Sequence, residues 1–449
     1  MDTIISVVLG ELVSRSISFL IGRYLKPADS SKEKNTKRLQ WMLMRVRVTV
    51  EEAEMRHITN EAMLQQLKML KQAMYRGYYM LDTSKYGIEK IEDMLECVEI
   101  AIASMSEFVV FLRNCPPMFR QPYSTYLFVQ NCMFGRQVEM ERVINFLLRK
   151  VGKTTLVEHV CLDERVRNHF SRIILLSDYD FREGRQCALR DQGRIKYQNN
   201  ESNEETFLVI VELHGIVVES AWRRLHSAYQ SSVSTRSRII ITSRSKDIIN
   251  FGTTPAHSLN FLSQEAYWYF FKALLFGSAD AEEQPELASI AVTILDEYFD
   301  QGIYTPFTGT FINLNNTAIL LKANAGAHNW RKILECIREN RQQNRRLSSR
   351  RLSDSEVEKD RIFLRRVTET IQYCVVYNQD RIGLDDEEAP NITMIDGISE
   401  KVPPRGKFEI LLWKSHLPPY HKYIYSCEIF EFEGKVIRDK ESRKRKNLS

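Results

Sequence analysis

Val151-Gly152-Lys153-Thr154-Thr155-Leu156 is the stretch whose reading decides the fold. Gly-Lys-Thr is the second half of a phosphate-binding loop. Glycine lets the backbone come close to phosphate, and Lys153 supplies a point charge for the terminal phosphates. The Thr154 hydroxyl can hold Mg²⁺, while the helix that follows offers its free N–H groups. The full pattern has another glycine five positions before Gly152, and here that position is Leu147. Leu148, Arg149, Lys150 and Val151 bring no glycine either. Side chains of that size do not fold into a concave run of N–H groups as glycine does. The stretch is half a loop, so its flanks decide what it belongs to.

Downstream the pattern is α/β. Leu156 to Cys161 continues as a helix, and Ile173-Ile174-Leu175-Leu176 reads as a buried strand. Residues 181–205 are polar and read as loop or short helix. Phe207–Val211 and Arg238–Thr242 are two further strands, with a helix over Ser220–Tyr229 between them. Short apolar strands alternating with helices predict a parallel sheet covered on both faces. Leu262–Phe276, Glu286–Tyr298 and Ala318–Glu339 read as helices, and Gly302–Thr310 as irregular. From Arg341 the chain turns polar. Arg345-Arg346-Leu347-Ser348-Ser349-Arg350-Arg351-Leu352-Ser353 has the composition of a linker, solvated or open to a basophilic kinase. Short β-like runs follow at Phe408–Trp413 and Tyr423–Phe432, and the tail ends in Arg443-Lys444-Arg445-Lys446.

Upstream, helix breakers are few. Ile4, Val8, Leu12, Ile17 and Leu20 give a first helix an apolar side, and Leu39, Leu43, Val46, Val50 and Ala53 a second. Leu64, Leu67, Leu70, Met74, Tyr78 and Leu81 mark a third helix, and Ile88, Ile91, Met94, Val98 and Ile102 a fourth. Four such helices joined by short turns predict an antiparallel bundle. Met140, Val143, Ile144, Leu147 and Leu148 are again helical in spacing and run straight into Val151. A phosphate loop is normally launched from a buried strand, so strand and glycines are missing together.

Composition narrows the function classes. The chain has 449 residues, 43% hydrophobic and 27% charged, with a net charge of +5 spread along it. That is globular composition and favours no particular partner by charge. Eight scattered cysteines without a C-x-x-C pair indicate reduced thiols rather than a disulfide or zinc framework. Asp2, Glu11, Arg15 and Arg23 break up the apolar N-terminus, so it reads as neither signal peptide nor transmembrane span. The histidines show no ligand spacing and no G-x-S-x-G motif is present, which argues against a metalloenzyme or a nucleophilic hydrolase. Nucleic-acid binding has only the two basic stretches behind it.

In order, these pieces resemble plant disease-resistance receptors of the coiled-coil nucleotide-binding, leucine-rich-repeat class (the NB-ARC family), over about residues 1–340. Tyr78-Tyr79-Met80-Leu81-Asp82 stands where that family has an acidic motif. Val151–Leu156 matches the end of its phosphate loop, and Val166–Phe170 the segment entering the next strand. Ile239–Arg244 matches the strand whose final arginine senses the γ-phosphate side. His257–Leu262, with Glu265–Trp268, resembles the opening of the helical subdomain. Gly309-Thr310-Phe311 occupies the place of a Gly-Leu-Pro-Leu motif without its Leu and Pro. Where the family has paired aspartates, Val211 is followed by Glu212-Leu213-His214, leaving one carboxylate. No Met-His-Asp motif and no leucine-rich repeat follow residue 340.

The resemblance implies the following architecture: a helical bundle (1–114), a linker (115–136), a degenerate P-loop-type domain (137–255), a helical subdomain (256–340), and a basic linker and tail (341–449). It implies ADP or ATP with Mg²⁺ as cofactor, held by Gly152, Lys153, Thr154, Thr155, Glu212 and Arg244, with Thr154 as metal ligand. It also implies a non-enzymatic defence protein that contacts other proteins through its bundle: another resistance receptor, or its own copy. Placement would be cytoplasmic, with the nucleus or the periphery of the plasma membrane as alternatives. The second reading is a working nucleotide switch. Losing two or three backbone hydrogen bonds to phosphate, at about 1.5–3 kcal/mol each, costs roughly two to six decades of affinity. Weak or absent nucleotide binding is therefore expected.

Overall fold

The computed structural model describes residues 32–83, 88–117, 163–177, 194–198, 206–213, 237–243, 262–277, 284–299, 311–350, 361–368, 372–383, 389–399, 406–414 and 422–431, with single positions at 157, 160, 161, 223 and 227. Outside them lie the first helix, the linker after Pro117, the helix before Val151, the half-loop Gly152–Thr155, Arg244, the irregular 302–310 and the basic C-terminus. The chain is mixed helix and sheet, and it divides into two compact units, Met1–Ala266 and Tyr267–Ser449.

In the first unit, α1 (Lys32–Glu54), α2 (Glu61–Thr83) and α3 (Ile88–Leu112) pack against one another. Their helical spacing turns Leu39, Leu43, Val46, Leu64, Leu67, Val98 and Phe108 inward, all fully buried. Asn60 caps α2: its Oδ1 accepts the N–H groups of Ala62 (2.9 Å) and Met63 (3.3 Å). Arg56, just beyond α1, donates to the carbonyls of Cys115 (3.0 Å) and Leu112 (3.4 Å), setting a cation against the C-terminal end of α3. Gly77 permits a close approach between α1 and α2. A Cβ there would run into the buried Leu43 side chain.

The same unit carries the short helix α4 (Glu164–His169), followed by β1 (Arg172–Ser177), β2 (Arg194–Gln198), β3 (Phe207–Leu213) and β4 (Arg238–Ser243), the strands in the order β2-β1-β3-β4. β1, β3 and β4 are parallel, as the apolar runs predict. Hydroxyls set their starting register. Ser171 and Thr206 exchange four hydrogen bonds of 2.9–3.0 Å, and Ser237 Oγ accepts the N–H of Phe207 at 2.9 Å. One face packs Ile174, Leu176, Val209 and Val211. The other packs Ile173, Leu175, Leu208, Ile210 and Ile240 under Val157, Val160, Val166 and Phe170. The polar stretch 181–205 is not wholly loop: β2 pairs antiparallel with β1. Ile195 and Tyr197 alternate with charged and polar residues there, the pattern of an edge strand, and a count of polar residues hides it.

The second unit holds most of α5 (Gln264–Phe276), then α6 (Pro285–Phe299), α7 (Phe311–Ala323) and α8 (Ala327–Arg350). Two sequence expectations change here. The helix expected over Ala318–Glu339 is two helices, parted at Gly326, whose φ of 108° lies where side chains are disfavoured. The linker expected from Arg341 is helical as far as Arg350, since Arg and Gln are strong helix formers whatever their polarity.

The tail, expected as poorly defined, contains a four-stranded antiparallel sheet. Its strands are β5 (Arg361–Arg365), β6 (Gln372–Gly383), β7 (Gly406–Lys414) and β8 (Lys422–Glu431), ordered β5-β6-β8-β7. The apolar runs near 408–413 and 423–432 had marked β7 and β8. A short helix, α9 (Met394–Ile398), is closed by a capping box between Thr393 and Asp396. Met394 joins Cys374, Val376, Ile410, Leu412, Tyr425, Cys427 and Ile429 in the core on this sheet.

α8 covers the free edge of β5. Asn344 Oδ1 accepts Phe363 N–H (3.1 Å), its Nδ2 donates to Phe363 O (2.9 Å), and Asn340 Oδ1 accepts Arg365 N–H. Four helical residues rise about 6 Å and two strand residues about 6.8 Å, so asparagines at i and i+4 match alternate strand positions. Beside this edge Arg366 is fully buried. Its guanidinium donates to Gly397 O (3.1 Å), Gln372 Oε1 (2.5 Å) and Ser399 O (2.5 Å), so the C-terminal carbonyls of α9 help hold the charge.

Candidate functional site

In a parallel sheet, polar groups that meet a ligand gather at the carboxyl ends of the strands. The register of β1, β3 and β4 lines up one row there: Ser177 opposite Glu212, and Glu212 opposite Thr242. By the two-residue alternation of a strand, Thr242 lies on the face that carries Ile173, Leu175, Leu208, Ile210 and Ile240. Val157, the first described residue after Thr155, packs on that same face. The element following the half-loop therefore lies over the strands that bear the row.

Thr242 adds a chemical mark. It is buried, and its Oγ1 makes no hydrogen bond among the described residues. A buried hydroxyl left without a partner forgoes about 1–3 kcal/mol. Of the expected site residues, Glu212 thus falls in a row with two hydroxyl residues, and Arg244 follows directly on β4 in sequence. Gly152, Lys153, Thr154, Thr155 and Arg244 lie outside the described residues. Sequence reasoning missed Ser177 and Thr242 because only strand register makes them neighbours of Glu212.

The row fits part of the implied cofactor. One carboxylate and two hydroxyls suit a hydrated Mg²⁺, which keeps most of its waters and takes one or two carboxylates from protein. They supply no cation for phosphate. Among the described residues no group of three or more His, Cys, Asp or Glu is placed to hold a metal directly.

A second feature lies on α1. Trp41, Met44 and Val48 are 65%, 55% and 50% exposed. They recur at i, i+3 and i+7 on the side opposite the buried Leu39, Leu43, Val46 and Val50. α1 is therefore apolar on two sides, and among the described residues only one is covered by neighbouring helices. Between Lys32 and Val48 it carries Lys32, Lys34, Lys37, Arg38, Arg45 and Arg47 against one acid, Glu33. The 41-44-48 spacing was present in the sequence, masked by the stronger inward stripe.

Among the described residues no helix is long and apolar enough to cross a membrane. No protein-family model matches the chain. No curated protein matches it.

Proposed function

We propose that this chain is a receptor-like defence protein of plant innate immunity, related to the coiled-coil NB-ARC class, that acts through protein contacts. In this reading residues 1–114 form the four-helix bundle, and 137–255 a P-loop-type domain that keeps the family's shape with a weakened nucleotide site. The exposed Trp41-Met44-Val48 stripe carries the reading. Large apolar side chains aligned on an outer helix face mark a contact surface. Their basic surroundings favour one occupant, an amphipathic helix with acidic flanks from another protein. Expression in leaf tissue with ion leakage as readout tests the proposal. Trp41→Ala/Met44→Ala, folded by circular dichroism, is expected to lose the response that Lys153→Ala retains. The opposite pattern overturns it.

The Ser177-Glu212-Thr242 row favours a second reading, an ADP/ATP switch of the STAND ATPase type. There Lys153 meets phosphate, Thr154 and Glu212 hold hydrated Mg²⁺, and Arg244 reads nucleotide state. Calorimetry of the full chain with ADP separates the two. Tight binding abolished by Lys153→Ala would establish the switch; absent binding leaves the contact protein.

A further inference from the structure

The second unit holds a pocket of about 130 Å³ between α6, α7, α8, α9 and the sheet. The function proposed above makes no use of it. An engineered cavity of about 150 Å³ with apolar walls stays dry and admits benzene, so this space takes one six-membered ring.

Most of the wall is apolar, with Leu320 on α7, Ile333 and Ile337 on α8 and Leu412 on β7. The charged groups in it are answered by the protein itself. Arg341 pairs with Glu297 at 2.5 Å, and Arg365 pairs with Glu339. Asn340 and Asn344 are committed to the edge of β5, and Asn316 Nδ2 donates to Leu412 O at 3.2 Å. An ion entering this space would give up its water and meet charges that are already matched, so the occupant is neutral.

One donor is left over. Tyr298 on α6 and Thr317 on α7 both line the pocket, and their hydroxyls share a hydrogen bond of 2.8 Å. Two hydroxyls carry two protons, and this bond uses one of them whichever residue gives it. Thr317 is buried, and burial holds the Tyr298 phenol above its ordinary pKa of 10, so the phenol keeps its proton. Among the described residues the second proton makes no hydrogen bond. A lone donor beside an apolar, ring-sized space selects an acceptor on an apolar body.

We propose that this pocket binds a neutral one-ring compound with a single carbonyl oxygen, a cyclic ketone or a ring-bearing aldehyde. The ring fills the space beside Leu320 and Ile337, and the oxygen accepts the second proton of the Tyr298–Thr317 pair. The volume bounds the ring count, the matched arginines exclude an ion, and the hydroxyl pair asks for an acceptor.

The test uses the full-length protein with cyclohexanone as the probe. Three relatives accompany it: methylenecyclohexane lacks the oxygen, cyclohexanecarboxylate adds a charge, and acetone lacks the ring. Methyl-labelled methionine reports occupancy by NMR, because Met394 lines the pocket while Met69 on α2 is exposed. Cyclohexanone is expected to bind saturably and to move the Met394 signal but not that of Met69. The infrared carbonyl stretch of the bound ketone falls below its value in hexane, as a hydrogen-bonded oxygen requires. Cyclohexanecarboxylate and acetone bind at least about tenfold more weakly. Tyr298→Phe/Thr317→Val nearly keeps the volume and removes both protons. Cyclohexanone then weakens at least about fivefold, its oxygen buried without a partner, while methylenecyclohexane does not weaken. No saturable binding of cyclohexanone, a Met394 signal that stays still under saturating cyclohexanone, or a hexane-like stretch for the bound ketone overturns the proposal. So does a carboxylate that binds as tightly as the ketone, or a double variant that weakens both neutral rings equally. The infrared and methionine readouts come from the wild-type protein, so the test decides even where the variant fails to fold.

Discussion

Replacing Asn344 with alanine tests whether α8 protects the edge of β5. The wild-type side chain makes hydrogen bonds to Phe363 N (3.1 Å), to Phe363 O (2.9 Å) and to Asn340 O (2.8 Å). At about 0.5–1.5 kcal/mol each these are worth about 1.5–4.5 kcal/mol. Both residues are half-buried, so water recovers some of that, and the loss settles near about 2 kcal/mol. For a folding unit of this size that lowers Tm by about 4–8 °C. Tryptophan fluorescence during urea or heat unfolding reports it, since Trp268 and Trp330 are buried in the second unit. Hydrogen exchange at the Phe363 amide should quicken in parallel. Asn344→Asp sharpens the test: it keeps an acceptor for Phe363 N–H but turns a carboxylate toward Phe363 O, so it should cost at least as much as alanine. A wild-type melt for Asn344→Ala, with Asn344→Asp equally neutral, would refute the edge-capping argument.

Three further outcomes are expected. Gly77→Ala forces a methyl into the buried Leu43; overpacking of about 1–3 kcal/mol outweighs a helix-propensity gain of about 1 kcal/mol. On a Leu43→Ala background the same change should be neutral or stabilising, and a cost equal in both backgrounds would contradict the contact. Arg366→Met strands Gly397 O, Ser399 O and Gln372 Oε1, and although it removes a buried charge it should destabilise by about 3 kcal/mol in urea titration. A shift under about 1 kcal/mol would show that the charge is dispensable. Burial alone would raise the Glu297 carboxyl, yet hydrogen bonds and attraction from Arg338 and Arg341 hold it below its ordinary 4.5. Its folded value is thus the lower one. Its contribution is complete above pH 4.5 and fades as pH falls toward the folded value, so the stability difference between wild type and Glu297→Gln should shrink on acidification. A difference independent of pH would refute it.

The sequence made the long helices and the three parallel strands legible because their apolar residues recur at 3.6 or run unbroken. Elements whose stability comes from partners rather than pattern stayed hidden. β2 has only Ile195 and Tyr197 to announce it, and α8 beyond Arg341 has a single apolar residue, Leu347. Its Asn340 and Asn344 reveal their purpose only when Arg365 and Phe363 lie beside them. Glu212 was singled out as a lone strand-end carboxylate; its neighbours Ser177 and Thr242 come from strands 35 and 30 positions away in register.

The thiols of the second unit carry a practical consequence. Cys336, Cys374 and Cys427 are buried, and burial pushes the Cys336 thiol up to about 11. Cys427 is raised too, by its hydrogen bond with Cys374 and by burial. Only thiolate reacts with alkylating reagents, so these sulfurs stay silent while the unit is closed. Cys97, exposed on α3, answers at once. The delay between the two responses is a clock for how often the second unit opens, and it needs no added probe.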